Sequence, residues 1–156
     1  MKMIRLSILL VAVAATLAVG VVAMVSSSAG ASKATVIHVV ERATTDAVTN
    51  GDAETDKVGN VLTFSNNVYN SADKRKVGSD QGYCVRMVVG KTWECNWTTF
   101  LQSGSLTVEG KFSDTGNTIL AITGGTGAYA TARGEMNLNY HNKQGTEFDF
   151  IFHVKK

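Results

Sequence analysis

In TEFDFIFHV, residues 146–154, apolar and polar side chains alternate. Phe148, Phe150, Phe152 and Val154 fall on one face of an extended chain, and Glu147, Asp149 and His153 on the other, with Ile151 the exception. A period of two requires one face to be buried and the other to meet water, so this segment predicts a strand of a sheet with a single covered side.

Working back from it, seven more segments read the same way. They are Val36–Arg42, Asn60–Tyr69, Tyr83–Val89, Trp93–Leu101, Ser105–Phe112, Thr118–Thr123 and Gly134–His141, with the last strand at Thr146–Val154. None sustains apolar residues at i, i+3 and i+4, and Gly78, Gly104, Gly116 and Gly145 fall between them as breakers. Eight strands joined by short turns, with no helix to cover a face, predict an all-β domain: an eight-stranded antiparallel closed barrel. A barrel of that size holds side chains or one small ligand. The polar segment Thr44–Lys57 is the one long loop, and it is placed to lie over a mouth. In LAITGGTGAYATARG, residues 120–134, an apolar run stops at Gly124-Gly125-Thr126-Gly127, and Ala132-Arg133-Gly134 opens the next strand. Glycines so placed predict positive φ or close backbone approach. No Lys-Ser/Thr follows and no helix opens, so it is not a phosphate loop.

Lys2 and Arg5 precede an apolar run from Leu6 to Val25, and Ser26-Ser27-Ser28-Ala29-Gly30-Ala31 follows. That order describes a secretory signal peptide over 1–31, cleaved after Ala31 to leave one exported domain over 32–156. The alternative is an uncleaved anchor, since about 20 apolar residues span a bilayer; the small-x-small site favours cleavage. Without Lys2 and Arg5 the 15 basic side chains fall to 13, against 13 acidic ones. A balanced domain does not attract polyanions at long range, so nucleic acid is excluded as a partner. His38, His141 and His153 lie on three strands without ligand spacing, so neither metal nor other cofactor is expected. No Ser-His-Asp set stands out. Cys84 and Cys95 are equidistant from Val89-Gly90, so a hairpin there puts them opposite each other. In an oxidising compartment that favours a Cys84–Cys95 disulfide over two free thiols.

Several blocks resemble allene oxide cyclases in order and spacing: VVER at 39–42, VGNVLTFSNNVYN at 58–70, GYCV at 82–85, TVEGKF at 107–112 and LAITGGTG at 120–127. GGTGAYATARG, residues 124–134, is closer to plant dirigent proteins. Both families are small barrels that steer reactive organic intermediates, so the resemblance implies a secreted cyclase or dirigent-like guide for a hydrophobic small molecule, assembled as a trimer. It places the family's pocket carboxylate on Glu41, its asparagine on Asn66 and its cysteine on Cys84. The pocket tyrosine falls on Phe112, which has no hydroxyl, and a second asparagine falls on Ala43. The dirigent arginine falls on Arg133, which on its own reads as a turn residue bonded to carbonyls. These departures favour a second reading, a non-catalytic carrier or structural barrel that has lost the chemistry.

The residues point independently to Glu41, which shares a face with Ile37 and Val39 in VIHVVER. Among apolar neighbours a carboxylate is driven toward the neutral acid unless a cation or donors meet it. Arg86 shares the face of Cys84, so a Glu41–Arg86 pair inside the barrel is expected, as a structural ion pair or as an anchor for a polar substrate end. Glu41, Asn66 and Arg86 are thus the catalytic candidates, and Tyr83, Phe112 and Arg133 the substrate-binding ones. Trp93 and Trp97 share the face of Cys95 and are expected in the core.

Overall fold

The computed structural model describes residues 34–49 and 55–155; the segment read as a signal peptide lies outside them. The chain forms β1 (Thr35–Arg42), β2 (Ala47–Thr49), β3 (Val61–Phe64), β4 (Asn67–Asn70), β5 (Lys76–Val88) and β6 (Thr92–Leu101). β7 (Gly104–Ser113), β8 (Thr118–Gly125), β9 (Arg133–Tyr140) and β10 (Glu147–Lys155) follow, with one 3-10 turn at Gly127–Tyr129. Among the described residues no helix is long and apolar enough to cross a membrane.

Every pairing is antiparallel, and neighbours in sequence pair from β5 through β10. β10 then pairs with β1, β1 with β4, and β4 with β5, which closes the ring. β3 and β4 fill one position, because β3 lies along the second half of β5 and β4 along the first. Between them Asn66 and Asp80 exchange both backbone hydrogen bonds, at 3.1 and 2.9 Å, and Arg86 donates its N–H to the Asn60 carbonyl at 2.8 Å. Asn60–Tyr69 therefore behaves as the single strand read from its sequence, and the barrel has eight staves. β2 is an addition on the outer edge of β3, inside what the sequence presented as a loop.

The alternation of β10 is realised as read. Phe148, Phe150, Phe152 and Val154 are buried, and Phe150 stacks tilted on Trp97 with ring centroids 5.4 Å apart. Leu106, Val108, Leu120, Ile122 and Met136 complete the interior from β7, β8 and β9. Cys84 stands directly opposite Cys95, and the two form a disulfide. A loop this short contributes about 2–3 kcal/mol, largely by restricting the unfolded chain.

The glycine turn divides its work unequally. Gly127 and Gly134 hold positive φ, at 58° and 133°, and Gly125 lies where a Cβ would meet the Ser105 carbonyl oxygen at 2.4 Å. Gly124 has neither constraint: its φ is ordinary and nothing stands within 4 Å of a Cβ built on it.

Candidate functional site

An internal cavity of about 60 Å³ opens at one end of the barrel. Phe64, Trp97, Phe112, Phe148 and Phe150 line it with Leu62, Leu138 and the Cys84–Cys95 bridge, and Glu41 and Asp46 supply its charge. Alternation puts Glu41 there: Ile37, Val39 and Glu41 take the inner side of β1, while His38 meets Asp149 on the outer side, Nε2 to Oδ1 at 2.7 Å.

Glu41 is 6 % exposed and is held by Asn66, whose Nδ2 donates to Glu41 Oε1 at 2.9 Å and to Asp46 Oδ1 at 3.0 Å. Asn66 Oδ1 accepts from the backbone N–H groups of Thr44 and Thr45 and from the Thr45 hydroxyl, at 2.9, 3.0 and 3.0 Å. Both its amide hydrogens are committed and its oxygen accepts three bonds. Asn66 thus ties the strand carrying Glu41 to the loop carrying Asp46, and offers no free donor to a ligand.

Behind Glu41 stands an acid that the sequence reading passed over. Asp80 is 1 % exposed, its Oδ1 accepts the Asn66 N–H at 3.1 Å, and its Oδ2 has no hydrogen-bond partner. Burial first, and the adjoining Asp80 carboxyl next, hold Glu41 well above the usual carboxylate range, against the pull of the Asn66 bond. Burial likewise pushes Asp80 up to about 7. Two buried carboxyls this close cannot both ionise cheaply, so the pair retains a proton that the two share. That proton supplies the donor Asp80 Oδ2 otherwise lacks.

Arg86 is inward and 7 % exposed, as the Cys84 face required, but it does not meet Glu41. Its Nε lies 2.7 Å from Asp56 Oδ1, its Nη1 2.6 Å from Asp114 Oδ2, and its guanidinium 3.8 Å from the centre of the Trp93 ring. The expected Glu41–Arg86 pair is therefore corrected. Glu41 sits across β4 from the start of β5, opposite Val68, which itself faces Gly78. From Asp80 to Arg86 is six residues, about 20 Å of strand. Asp56 and Asp46 both belong to the segment expected over the mouth.

The other candidates separate. Phe112 lines the cavity, packed edge-on to Phe148 at 5.8 Å. Tyr83 is 51 % exposed on the outer face, one residue out of phase with Cys84. Arg133 is exposed and donates to the Ala132 carbonyl at 2.7 Å, the turn role its position suggested, so neither Tyr83 nor Arg133 reaches the cavity. Trp93 and Trp97 are buried as expected, and the Trp97 indole N–H is a cavity-wall donor without a partner. Outside the barrel, Asp73, His141 and Glu147 bring one ligand atom each within 4.8 Å, although Asp73 is already bound by Arg42 at 3.0 and 2.8 Å.

A family model described as Allene oxide cyclase matches residues 32–149. Among solved structures, a pyocyanin demethylase superposes with a TM-score of 0.63 at 22% identity, covering 76% of this chain and 100% of that one. A pterocarpan synthase dirigent protein gives 0.63 at 18% identity, covering 80% and 97%. The exo-specific intermolecular Diels-Alderase AbnU gives 0.65 at 14% identity, covering 81% and 100%. At these identities the superpositions speak for a shared barrel.

Proposed function

The chain belongs to the allene oxide cyclase family, and on that premise we propose that its barrel takes up a hydrophobic small molecule and confines it against the Glu41 carboxyl, as a cyclase or dirigent-like guide. The carrying observation is the cavity itself, aromatic and aliphatic along its walls and ended by one buried acid fixed by Asn66. Confinement of a reactive substrate in one folded shape accelerates a cyclisation through orientation and calls for no strong nucleophile. Glu41, held neutral, donates a hydrogen bond or a proton to an oxygen that gains charge as the ring closes, and Asp80 stabilises its return. The Trp97 N–H is a second donor within the same wall.

A carrier without chemistry is favoured by two features. Phe112 stands where the family has a hydroxyl, and both cysteines are held in the disulfide. The reading also includes export, supported by the basic, apolar and small-residue order of residues 1–31.

Glu41→Gln tests the proposal, using protein recovered from the medium, where the chain is expected to begin at or near Ser32. The amide keeps shape and loses the proton. A panel of hydrophobic probes and reactive epoxide or diene substrates should bind both forms, with product selectivity lost in the variant. Binding by both with turnover by neither establishes the carrier. A variant unchanged in binding, turnover and thermal unfolding removes Glu41 from the site.

A further inference from the structure

The cavity holds acids and rings, and no base. Glu41 and Asp46 line it, with Asp80 behind Glu41; among the described residues no Lys, Arg or His does. Arg86, further along β5, is spent on Asp56, Asp114 and the Trp93 ring. Asn66 has no free amide hydrogen. Facing the acids are five rings: Phe64, Trp97, Phe112, Phe148 and Phe150. A ring presents negative charge on its face, so rings and carboxyls alike favour a positive guest and oppose an anion. Asp80 Oδ2, buried and unpartnered, adds an acceptor with nothing but the Glu41 proton to satisfy it.

We propose that the ligand of this cavity is a small organic cation, an ammonium or N-alkylated head on an apolar body, seated between the rings and the Glu41 and Asp46 carboxyls, with Asp80 adding its charge from behind Glu41. The proposal rests on the reading of the cavity as a ligand site and narrows its chemistry. At about 60 Å³ the interior admits a head of about four water-sized groups, as in a trimethylammonium. The body then lies in an adjoining surface groove of about 350 Å³, which shares Asp46, Phe112 and Phe148 with the cavity and adds Asp114, Tyr140 and Lys143. Desolvating the cation is offset by carboxylate and ring contacts made at the same moment.

Proton exchange follows from the geometry. The groups facing the site are Glu41 from β1, Asp46 from the loop after it, Asn66 between β3 and β4, and Asp80 from β5. β6, β7, β9 and β10 contribute Trp97, Phe112, Leu138 and Phe148, which do not titrate. An arriving permanent cation displaces the proton shared by Glu41 and Asp80. Binding therefore releases a proton and tightens as pH rises through about 7, the value at which Asp80 ionises.

Three soluble probes of one shape test this: choline, 3,3-dimethylbutan-1-ol and 3,3-dimethylbutanoate, titrated while the Trp97 indole and cavity phenylalanine resonances are followed. At pH 8 choline should bind at least about tenfold more tightly than the alcohol, and the carboxylate should not bind. Choline should weaken about tenfold between pH 8 and pH 6, while the alcohol should not change. Asp80→Asn should weaken choline and flatten its pH dependence, leaving the alcohol alone, with thermal unfolding confirming the fold. Asp46→Asn, on the exposed loop at the mouth, should also weaken choline and leave the alcohol unchanged. Equal binding of choline and the alcohol, or binding of the carboxylate, overturns charge selection while leaving a hydrophobic cavity site in place. No response to any probe overturns the cavity as a ligand site, and both readings fall together.

Discussion

A buried acid pair leaves its mark on the stability of the fold. Glu41 and Asp80 both sit above their ordinary carboxylate values, Asp80 at about 7. Between the unfolded value near 4 and the folded one near 7, the native state holds more protons than the unfolded chain, so this contribution is full at low pH and is lost as pH rises. The thermal midpoint should therefore fall from pH 5 to pH 8, by the equivalent of about 2–3 kcal/mol from Asp80 alone, with Glu41 acting in the same direction. Asp80→Asn should remove the Asp80 share of that fall and raise the midpoint at pH 8, since the amide cannot ionise, while the burial of Glu41 keeps the remainder. Calorimetry across this range checks it, and parallel profiles for the two proteins would show that Asp80 does not hold the proton. At this scale the sequence made Glu41 legible through VIHVVER, and Cys84–Cys95 through their distance from Val89-Gly90. It hid Asp80, because Gly78 and Gly82 flank it on the inner face of β5 and leave no apolar signal. A Cβ on Gly82 would stand 2.2 Å from that of Trp97, which takes up the room. Without Asp80, Arg86 was the only inward charge on β5 left to set against Glu41.

Among the elements, the strands were the easiest to read and their ends the hardest. From Asn60 to Val68 the chain holds one register along β5, as its alternation required, although its ladder is split between β3 and β4, and the register shifts only before Tyr69. β5 begins at Lys76, well before Tyr83, because its first half carries the Gly-Asp-Gly face just described. The turn from β8 to β9 offers a paired test of what each glycine does. Gly134 holds φ at 133°, and a Cβ there would meet the His153 carbonyl oxygen of β10 at 2.1 Å. Gly134→Ala forces both a disfavoured backbone and a break in the β9–β10 ladder, and should cost about 2–4 kcal/mol. Gly124→Ala, ten residues earlier in the same motif, meets nothing and needs no special φ, so it should change stability by less than about 0.5 kcal/mol. Chemical denaturation of the two variants measures the difference. Equal losses would mean that the motif acts as a unit and that the geometry at Gly134 is not the cause.

The ring of eight staves leaves no edge of its own unpaired, and among the described residues only the three-residue β2 presents one, so copies of the domain associate mainly through faces and loops. The sequence made the closed barrel legible because eight alternating segments without a helix have few other ways to bury one face. It could not show which outer faces stay apolar, since that depends on register between strands. The structure places Tyr83 and Met87 on the outer side of β5, 51 % and 52 % exposed, with Val88 and Val89 exposed at its turn. Apolar side chains grouped at one end of a hairpin suit a self-contact between copies. A trimer of the kind the family resemblance implies would draw on that face. Light scattering on the purified domain should return about three times the chain mass, and Tyr83→Lys with Met87→Lys should return one, with unfolding of each monomer unchanged. The cavity lies on the opposite side of the same strand, behind Cys84, so the monomeric variant should still take up whatever the native protein binds. A native protein that stays monomeric at high concentration removes the trimer, and a variant that dissociates and also loses its ligand places part of the site between copies.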